Sequence, residues 1–184
     1  MDKVTIISDN CISNYLYDYC GLKYNSPTMS LFINPPCFIK FCGNLKHYLN
    51  LEMEFAEGTK YDLSDIRSHW NYPIGRLDDV EIHFLHRNTE REAKEKWNRR
   101  RDRVNFDNLI IFGHDMKGCT AIDKVLFNQL PYENKFLFSS KDSNLPSVVF
   151  LEEFSTWKEV GHIYDYPEVY KKHFNFDNFF KSKL

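Results

Sequence analysis

Cys11 is the side chain best placed to do chemistry, because the β-branched run Val4-Thr5-Ile6-Ile7 passes through Ser8-Asp9-Asn10 and delivers a thiol to the first turn of a helix. Backbone N–H groups that lack intrahelical partners, with the positive end of the helix dipole, favour a thiolate there. Asp9 opposes that by like-charge repulsion. A cysteine nucleophile needs a base to take its proton and a third group to orient the base. His83, His86 and His114 sit at or near strands. His86 is the preferred base, since it ends its strand on the rim where Cys11 is expected; His83 lies nearer the middle and serves only if a bulge shifts the face. Asp115 is the orienting carboxylate, with Asp79 in reserve. The amide of Asn10, or the free amides of the helix behind Cys11, could hold an oxyanion.

Asp79, Glu81, His83 and His86 crowd one segment and suggest a metal. Strand alternation puts the first three on one face and His86 on the other, so no single metal cage is expected. The run Arg99-Arg100-Arg101-Asp102-Arg103 spreads around a helix as a solvated face. If Arg99 and Arg100 turn toward the strand ends, their guanidinium groups could clamp a phosphate or pyrophosphate. No Gly-rich phosphate loop or dinucleotide fingerprint is present. A nucleotide-sugar or coenzyme A donor must then be held by arginines and helix ends.

The positioning elements are a set of alternating strands and helices. Ile12 to Tyr19 reads as a short helix with Asn10 as cap and Gly21 as its stop. Pro35-Pro36 opens an amphipathic helix in which Phe38, Phe41, Leu45, Tyr48 and Leu49 share a face. Leu51 to Phe55 is a short strand, and residues 59–76, with Trp70, Pro73 and Gly75, are an irregular stretch of functional length. Val80 to His86 alternates as a strand. Thr89 with Glu92 caps a helix from Glu90 to about Val104, and Thr120 with Asp123 caps another to Leu130. Asn108 to Phe112 is a buried strand that ends in Gly113-His114-Asp115. Lys135 to Ser139 and Val148 to Leu151 are two more, and the chain from Tyr166 is helical. This order predicts a single α/β domain over residues 1–184, a three-layer, mainly parallel sheet flanked by helices. Ligands of such sheets lie beyond the carboxyl ends of the strands, where Cys11 and His114-Asp115 both fall.

Composition narrows the function. With 184 residues, 42% hydrophobic and 27% charged, the chain can bury one core. A net charge of −2 argues against non-specific nucleic-acid binding, with the run Arg99 to Arg103 as a local exception. No apolar run reaches a membrane span and the N-terminus enters a strand directly, which predicts a cytoplasmic protein. The five cysteines form no Cys-x-x-Cys pair, so reduced thiols are expected, with Cys20, Cys37 and Cys42 as core or half-buried residues. Sixteen Phe and eleven Tyr supply core material and spare rings. The aromatic tail with Lys171, Lys172, Lys181 and Lys183 could touch a membrane; docking onto the domain is its simpler use.

Ser8-Asp9-Asn10-Cys11, Tyr24-Asn25-Ser26-Pro27, the stretch from Tyr72-Pro73-Ile74-Gly75 to His86, Glu92-Ala93-Lys94-Glu95-Lys96-Trp97-Asn98-Arg99-Arg100 and Gly118-Cys119-Thr120 together resemble an uncharacterised bacterial family of exopolysaccharide biosynthesis proteins. The resemblance spans almost the whole chain. Members of that family occur in capsule, exopolysaccharide and lipopolysaccharide gene clusters, and some carry the label acetyltransferase. The order of a strand-end cysteine, a histidine strand and an Arg-Arg-x-x-Arg helix is similar, more faintly, to a family described as papain-like cysteine peptidases, although Ile12 stands where that family tends to have a small residue.

The resemblance implies surface-polysaccharide synthesis. Joined to the Cys-His reading, it leads to an acyl (O-acetyl) transferase using acetyl-coenzyme A on a sugar or lipid-linked glycan at the inner face of the membrane. Cys11, His86 or His83, and Asp115 carry the chemistry; Asn10, Ser26, Asp79, Arg99, Arg100 and His114 contact substrate. The alternatives are a glycosyl or glycosyl-phosphate transferase with a nucleotide donor, in which Asp78-Asp79 supplies acidic groups, and a non-catalytic assembly module.

Overall fold

A computed structural model describes residues 4–62 and 71–183. In chain order these form β1 (Thr5–Ser8), α1 (Ile12–Tyr19), α2 (Pro35–Gly43), α3 (Leu45–Asn50), β2 (Glu54–Ala56), β3 (Ile74–Leu77), β4 (Val80–His83), α4 (Glu90–Arg101), β5 (Leu109–His114), α5 (Ala121–Asn128), β6 (Lys135–Ser139), β7 (Val148–Phe150), α6 (Pro167–His173) and α7 (Phe176–Lys181). Trp70, part of the expected irregular stretch, lies outside the described residues.

β1, β5, β6 and β7 pair in that order, all parallel, into one sheet. Alternation sorts its side chains onto two faces. Ile7, Leu109, Ile111 and Leu137 meet Phe38, Phe41, Trp97 and Phe127 on one side. Ile6, Ile110, Phe112 and Phe138 meet Ile12, Leu16, Tyr170, Phe176 and Phe180 on the other. The fold is the expected α/β sheet flanked by helices, with an added small antiparallel sheet ordered β2-β3-β4.

That second sheet corrects one expectation. The histidine strand ends at His83 rather than His86, and it belongs to the antiparallel sheet, because Asp78-Asp79 makes a two-residue hairpin between β3 and β4. Asp78 supplies the positive φ of 55° that such a tight turn requires. A second difference is the break at Asn44, which splits the helix expected from Pro35 to Leu49. Gly43 and Asn44 are both weak helix formers, yet the five apolar side chains still turn inward.

Local signals act as their chemistry dictates. α1 stops at Gly21, at φ 63°, where the Leu22 amide reaches back to the Tyr17 carbonyl at 2.9 Å. The Thr89 hydroxyl accepts from the Glu92 amide, and Thr120 with Asp123 forms a full capping box. The C-terminal rings face the sheet rather than an outer surface: Phe176 and Phe180 are buried, and Phe174 lies edge-on to Phe136 at 4.7 Å.

β1 is an edge strand whose free amides are capped by side chains. The Tyr17 hydroxyl accepts from the Ile6 amide (3.0 Å) and donates to the Val4 carbonyl (3.2 Å); Thr28 Oγ1 accepts from the Ser8 amide (2.9 Å). The strand that carries the cysteine is thereby held and shielded from pairing with another chain. Tyr17→Phe strands a buried N–H, and urea unfolding is expected to show a loss of about 1–3 kcal/mol.

Candidate active site

Beyond β1 the chain turns tightly, as Ser8 Oγ donates to the Asn10 carbonyl at 2.7 Å, and Cys11 becomes the N-cap residue of α1. The side chain of Asn10 is spent on this turn. Its Oδ1 accepts from the Ile12 amide at 3.0 Å and its Nδ2 faces Met116 Sδ at 3.5 Å, so Asn10 shapes the helix start instead of offering its amide to an oxyanion.

Cys11 Sγ lies 3.7 Å from His86 Nε2, a contact across 75 positions of sequence. After β4 a turn closed by the Arg87 amide on the Phe84 carbonyl (2.9 Å) swings His86 toward α1. The two side chains border a hollow of about 430 Å³ together with Asn14, Ser30, Leu85, His162 and Tyr164. A second hollow of about 390 Å³, lined by Asn71, Leu85, His86 and Asn88, shares the wall made by Leu85 and His86.

Asn14 and Ser30 satisfy one another, Nδ2 to Oγ at 2.8 Å and Ser30 N–H to Oδ1 at 2.9 Å. The leucine side chain and the Tyr164 ring leave much of the remaining wall apolar. Tyr164 is half exposed and stacks on His162, with ring centroids 5.5 Å apart. The Tyr164 amide donates to His162 Nδ1 at 3.4 Å, which in the neutral ring leaves the proton on Nε2.

Electrostatics correct the expected thiolate. Burial first, then the Asp9 carboxylate, push the Cys11 thiol up to about 11. His86 is held below its ordinary value by burial and the Arg87 charge, and His162 is lowered chiefly by burial, then by His114. At neutral pH the site is therefore a thiol beside a neutral imidazole. Relative to an ordinary thiol at 9.0, a Cys11 value of about 11 reduces the thiolate at pH 8 about a hundredfold. Iodoacetamide labelling of Cys11, followed by peptide mass spectrometry, is expected to be slowed by a similar factor and to rise until the pH passes about 11.

None of the other expected residues lines either hollow. Asp115 does not orient His86: its Oδ2 accepts from the Ser140 amide (2.7 Å), Ser140 Oγ (2.9 Å) and Ser139 Oγ (3.1 Å), and Lys124 Nζ stands 3.7 Å away. Its Oδ1 accepts from the Val160 amide at 2.9 Å, which anchors the segment that carries His162 and Tyr164. His114 is buried and bonds Asp9 twice, ring Nδ1 to Oδ1 and amide to Oδ2, each at 2.7 Å. It locks the ends of β1 and β5 together instead of meeting substrate.

His83 is fully buried, 3.7 Å from the Glu81 carboxylate and between the rings of Phe32 and Tyr72. The regular register Ile74↔His83 leaves no bulge to bring it out. Ser26 is buried in a turn, its Oγ accepting from the Thr28 amide at 3.2 Å. Asp79 sits on the hairpin, bound to Lys40 Nζ (2.6 Å) and Tyr48 OH (2.8 Å), outside the lining of either hollow that meets at His86. Arg100 donates to the Met29 carbonyl at 2.8 Å and Arg99 is exposed.

Sequence reasoning missed Asn14, Ser30, Leu85, His162 and Tyr164. One signal was available for the last pair: Gly161, where a Cβ would stand 2.5 Å from the Tyr166 ring and 2.9 Å from Phe154. A glycine forced by close approach beside a histidine marks a tightly held segment.

A family model described as Domain of unknown function (DUF1919) matches residues 1–181. An uncharacterized protein of Haemophilus influenzae is 34% identical over 164 residues, which is 89% of this chain and 75% of that protein. Neither description names an activity.

Proposed function

We propose that this chain, which belongs to the DUF1919 family, is a cysteine-dependent acyltransferase that moves an acyl group from a thioester donor to a sugar hydroxyl. The observation that carries the reading is the 3.7 Å approach of Cys11 Sγ to His86 Nε2 at the wall shared by two hollows. Two hollows that share one imidazole can admit a donor and an acceptor on either side of the base, as a transferase would use them.

In the first half-reaction Cys11 sulfur attacks the thioester carbonyl while its proton passes to His86 Nε2. The tetrahedral intermediate collapses, the carbon–sulfur bond to the donor breaks, and the imidazolium protonates the departing thiolate. In the second, a hydroxyl gives its proton to His86 as its oxygen attacks the acyl-cysteine carbonyl. Cys11 leaves as thiolate and recovers the proton from His86. His162, neutral and with its proton on Nε2, is the donor that supports the oxyanion in both steps. A base that starts neutral suits this sequence, since it must accept a proton before it can return one.

Acetyl-coenzyme A is the simplest donor. The acceptor assignment, a sugar of a capsule or exopolysaccharide or its lipid-linked precursor, is supported by the resemblance of the Cys11, His86 and Arg99-Arg100 segments to exopolysaccharide biosynthesis proteins. A lipid-linked acceptor puts the enzyme at the inner face of the membrane; no described helix is long and apolar enough to cross it. The test is release of free coenzyme A thiol from acetyl-coenzyme A, followed continuously with and without a panel of acceptor sugars. Acceptor-dependent release supports the proposal. Metal-dependent turnover of a nucleotide sugar with no thiol release overturns it in favour of glycosyl transfer.

A further inference from the structure

Lys96, Arg99, Arg100 and Arg103 follow one another at three- and four-residue spacings, so α4 and the turn after it carry them along one side. Their neighbours turn away. Arg101 donates to the Leu51 carbonyl (2.6 Å) and Glu52 (3.1 Å), Lys94 reaches Glu52 (3.7 Å), and Arg91 pairs with Glu95 (3.5 Å). Arg87 adds a fifth cation, close enough to Lys96 and Arg100 to act on both. Glu92, one helical turn before Lys96, is the carboxylate that acts on that lysine.

The five cations do not occur among the ion pairs of the described residues. Like charges in such a group repel, and in a chain of net charge −2 the concentration is local rather than compositional. Burial and this mutual repulsion hold Lys96 and Arg100 below their ordinary values. An anion relieves the repulsion. Two members reach the walls of the Cys11 hollow: Arg87 Nη1 donates to the His86 carbonyl at 2.5 Å, and Arg100 Nη1 to that of Met29 at 2.8 Å, beside the lining residue Ser30.

We infer that this cationic face is a diphosphate-binding subsite bordering the Cys11 hollow, shaped for the anionic end of a donor whose reactive end lies at the thiol. Planar guanidinium forks match phosphate oxygens in pairs, and four of the five groups are arginines. The hollow beside it is the size of a small-molecule site. The choice of coenzyme A over a nucleotide sugar as the diphosphate rests on the acyl-transfer reading; the subsite itself does not.

Isothermal titration of the full chain with inorganic pyrophosphate, coenzyme A and uridine diphosphate tests it. Arg99 and Arg103 are exposed, so Arg99→Gln with Arg103→Gln alters charge without disturbing the core. Pyrophosphate is expected to bind one to one, about tenfold or more weakly in the double variant and more weakly again as salt rises. Tighter binding of coenzyme A identifies a thioester donor, and tighter binding of uridine diphosphate a nucleotide-sugar donor; either keeps the subsite. Absent pyrophosphate binding, binding that the double variant leaves unchanged, or charge-dependent binding of an oligonucleotide alone overturns it. Cys11→Ala separates the two ideas: it is expected to retain pyrophosphate binding within about twofold, so a wild type that never becomes acylated yet binds pyrophosphate through these arginines refutes acyl transfer and leaves the subsite standing.

Discussion

Cys11→Ala is expected to reduce acyl transfer by at least about a thousandfold, to the level of uncatalysed thiol and hydroxyl exchange, because in the proposed reaction the sulfur is the atom that carries the acyl group between substrates. The loss belongs to the rate, since the side chain is small and half-buried at the mouth of a hollow and the turn behind it is made by Ser8 and Asn10. Thermal unfolding of the variant is expected to stay within a few degrees of the wild type. Cys20 and Cys119 supply the control. They are also partly buried thiols raised by burial, to about 11 and about 12, and neither lines the hollow that holds His86. Cys20→Ala and Cys119→Ala are expected to transfer at close to wild-type rate.

His86→Gln is expected to cost about 10²–10⁴-fold in turnover while retaining the groove, as the amide keeps bulk but accepts no proton. The pH profile gives the same claim a sign. His86 is held below the usual histidine value of 6.5, so the base is neutral across the physiological range and activity falls only as the pH drops through that lowered value. On the alkaline side Cys11 at about 11 supplies no ionisation below pH 9, so the profile is expected to be flat from near neutrality to pH 9. A preformed thiolate–imidazolium pair gives a different profile, a bell whose alkaline limb is the loss of the imidazolium proton. Turnover measured from pH 5 to 9 separates the two.

The parts of this fold readable from sequence are those set by local chemistry. The β-branched run from Val4 to Ile7 and the apolar run from Leu109 to Phe112 mark strands with two buried faces, and the Thr120–Asp123 box and Gly21 mark helix ends to the residue. The position of Cys11 beyond a strand end and at the start of a helix followed from the same logic. What could not be read depends on chain partners distant in sequence. Asp115 looked like an orienting carboxylate because it ends a strand beside His114, but Ser139, Ser140 and the Val160 amide surround it, and nothing near Asp115 in sequence announces them.

The hairpin at Asp78-Asp79 was hidden for another reason. Its left-handed position is filled by aspartate, where a glycine or asparagine would have drawn notice; His83, kept as a reserve base should a bulge shift the face, is sealed inside the antiparallel sheet that this hairpin makes. His162 and Tyr164 sit in a segment with no helical or strand period, brought to the hollow by the grip of Asp115 on Val160. The thiolate expected at the helix end is opposed by the burial of Cys11, which its place in the sequence does not announce, and by the Asp9 carboxylate.

The most direct test is peptide mapping by mass spectrometry of the acid-quenched protein after incubation with acetyl-coenzyme A alone, without an acceptor. A single hydroxylamine-labile acetyl group on the peptide that contains Cys11, formed rapidly by the wild type and slowly by His86→Gln, is the expected result. An unmodified Cys11, or acetylation scattered over lysines and indifferent to His86, would contradict the assignment of this thiol and imidazole as a catalytic pair.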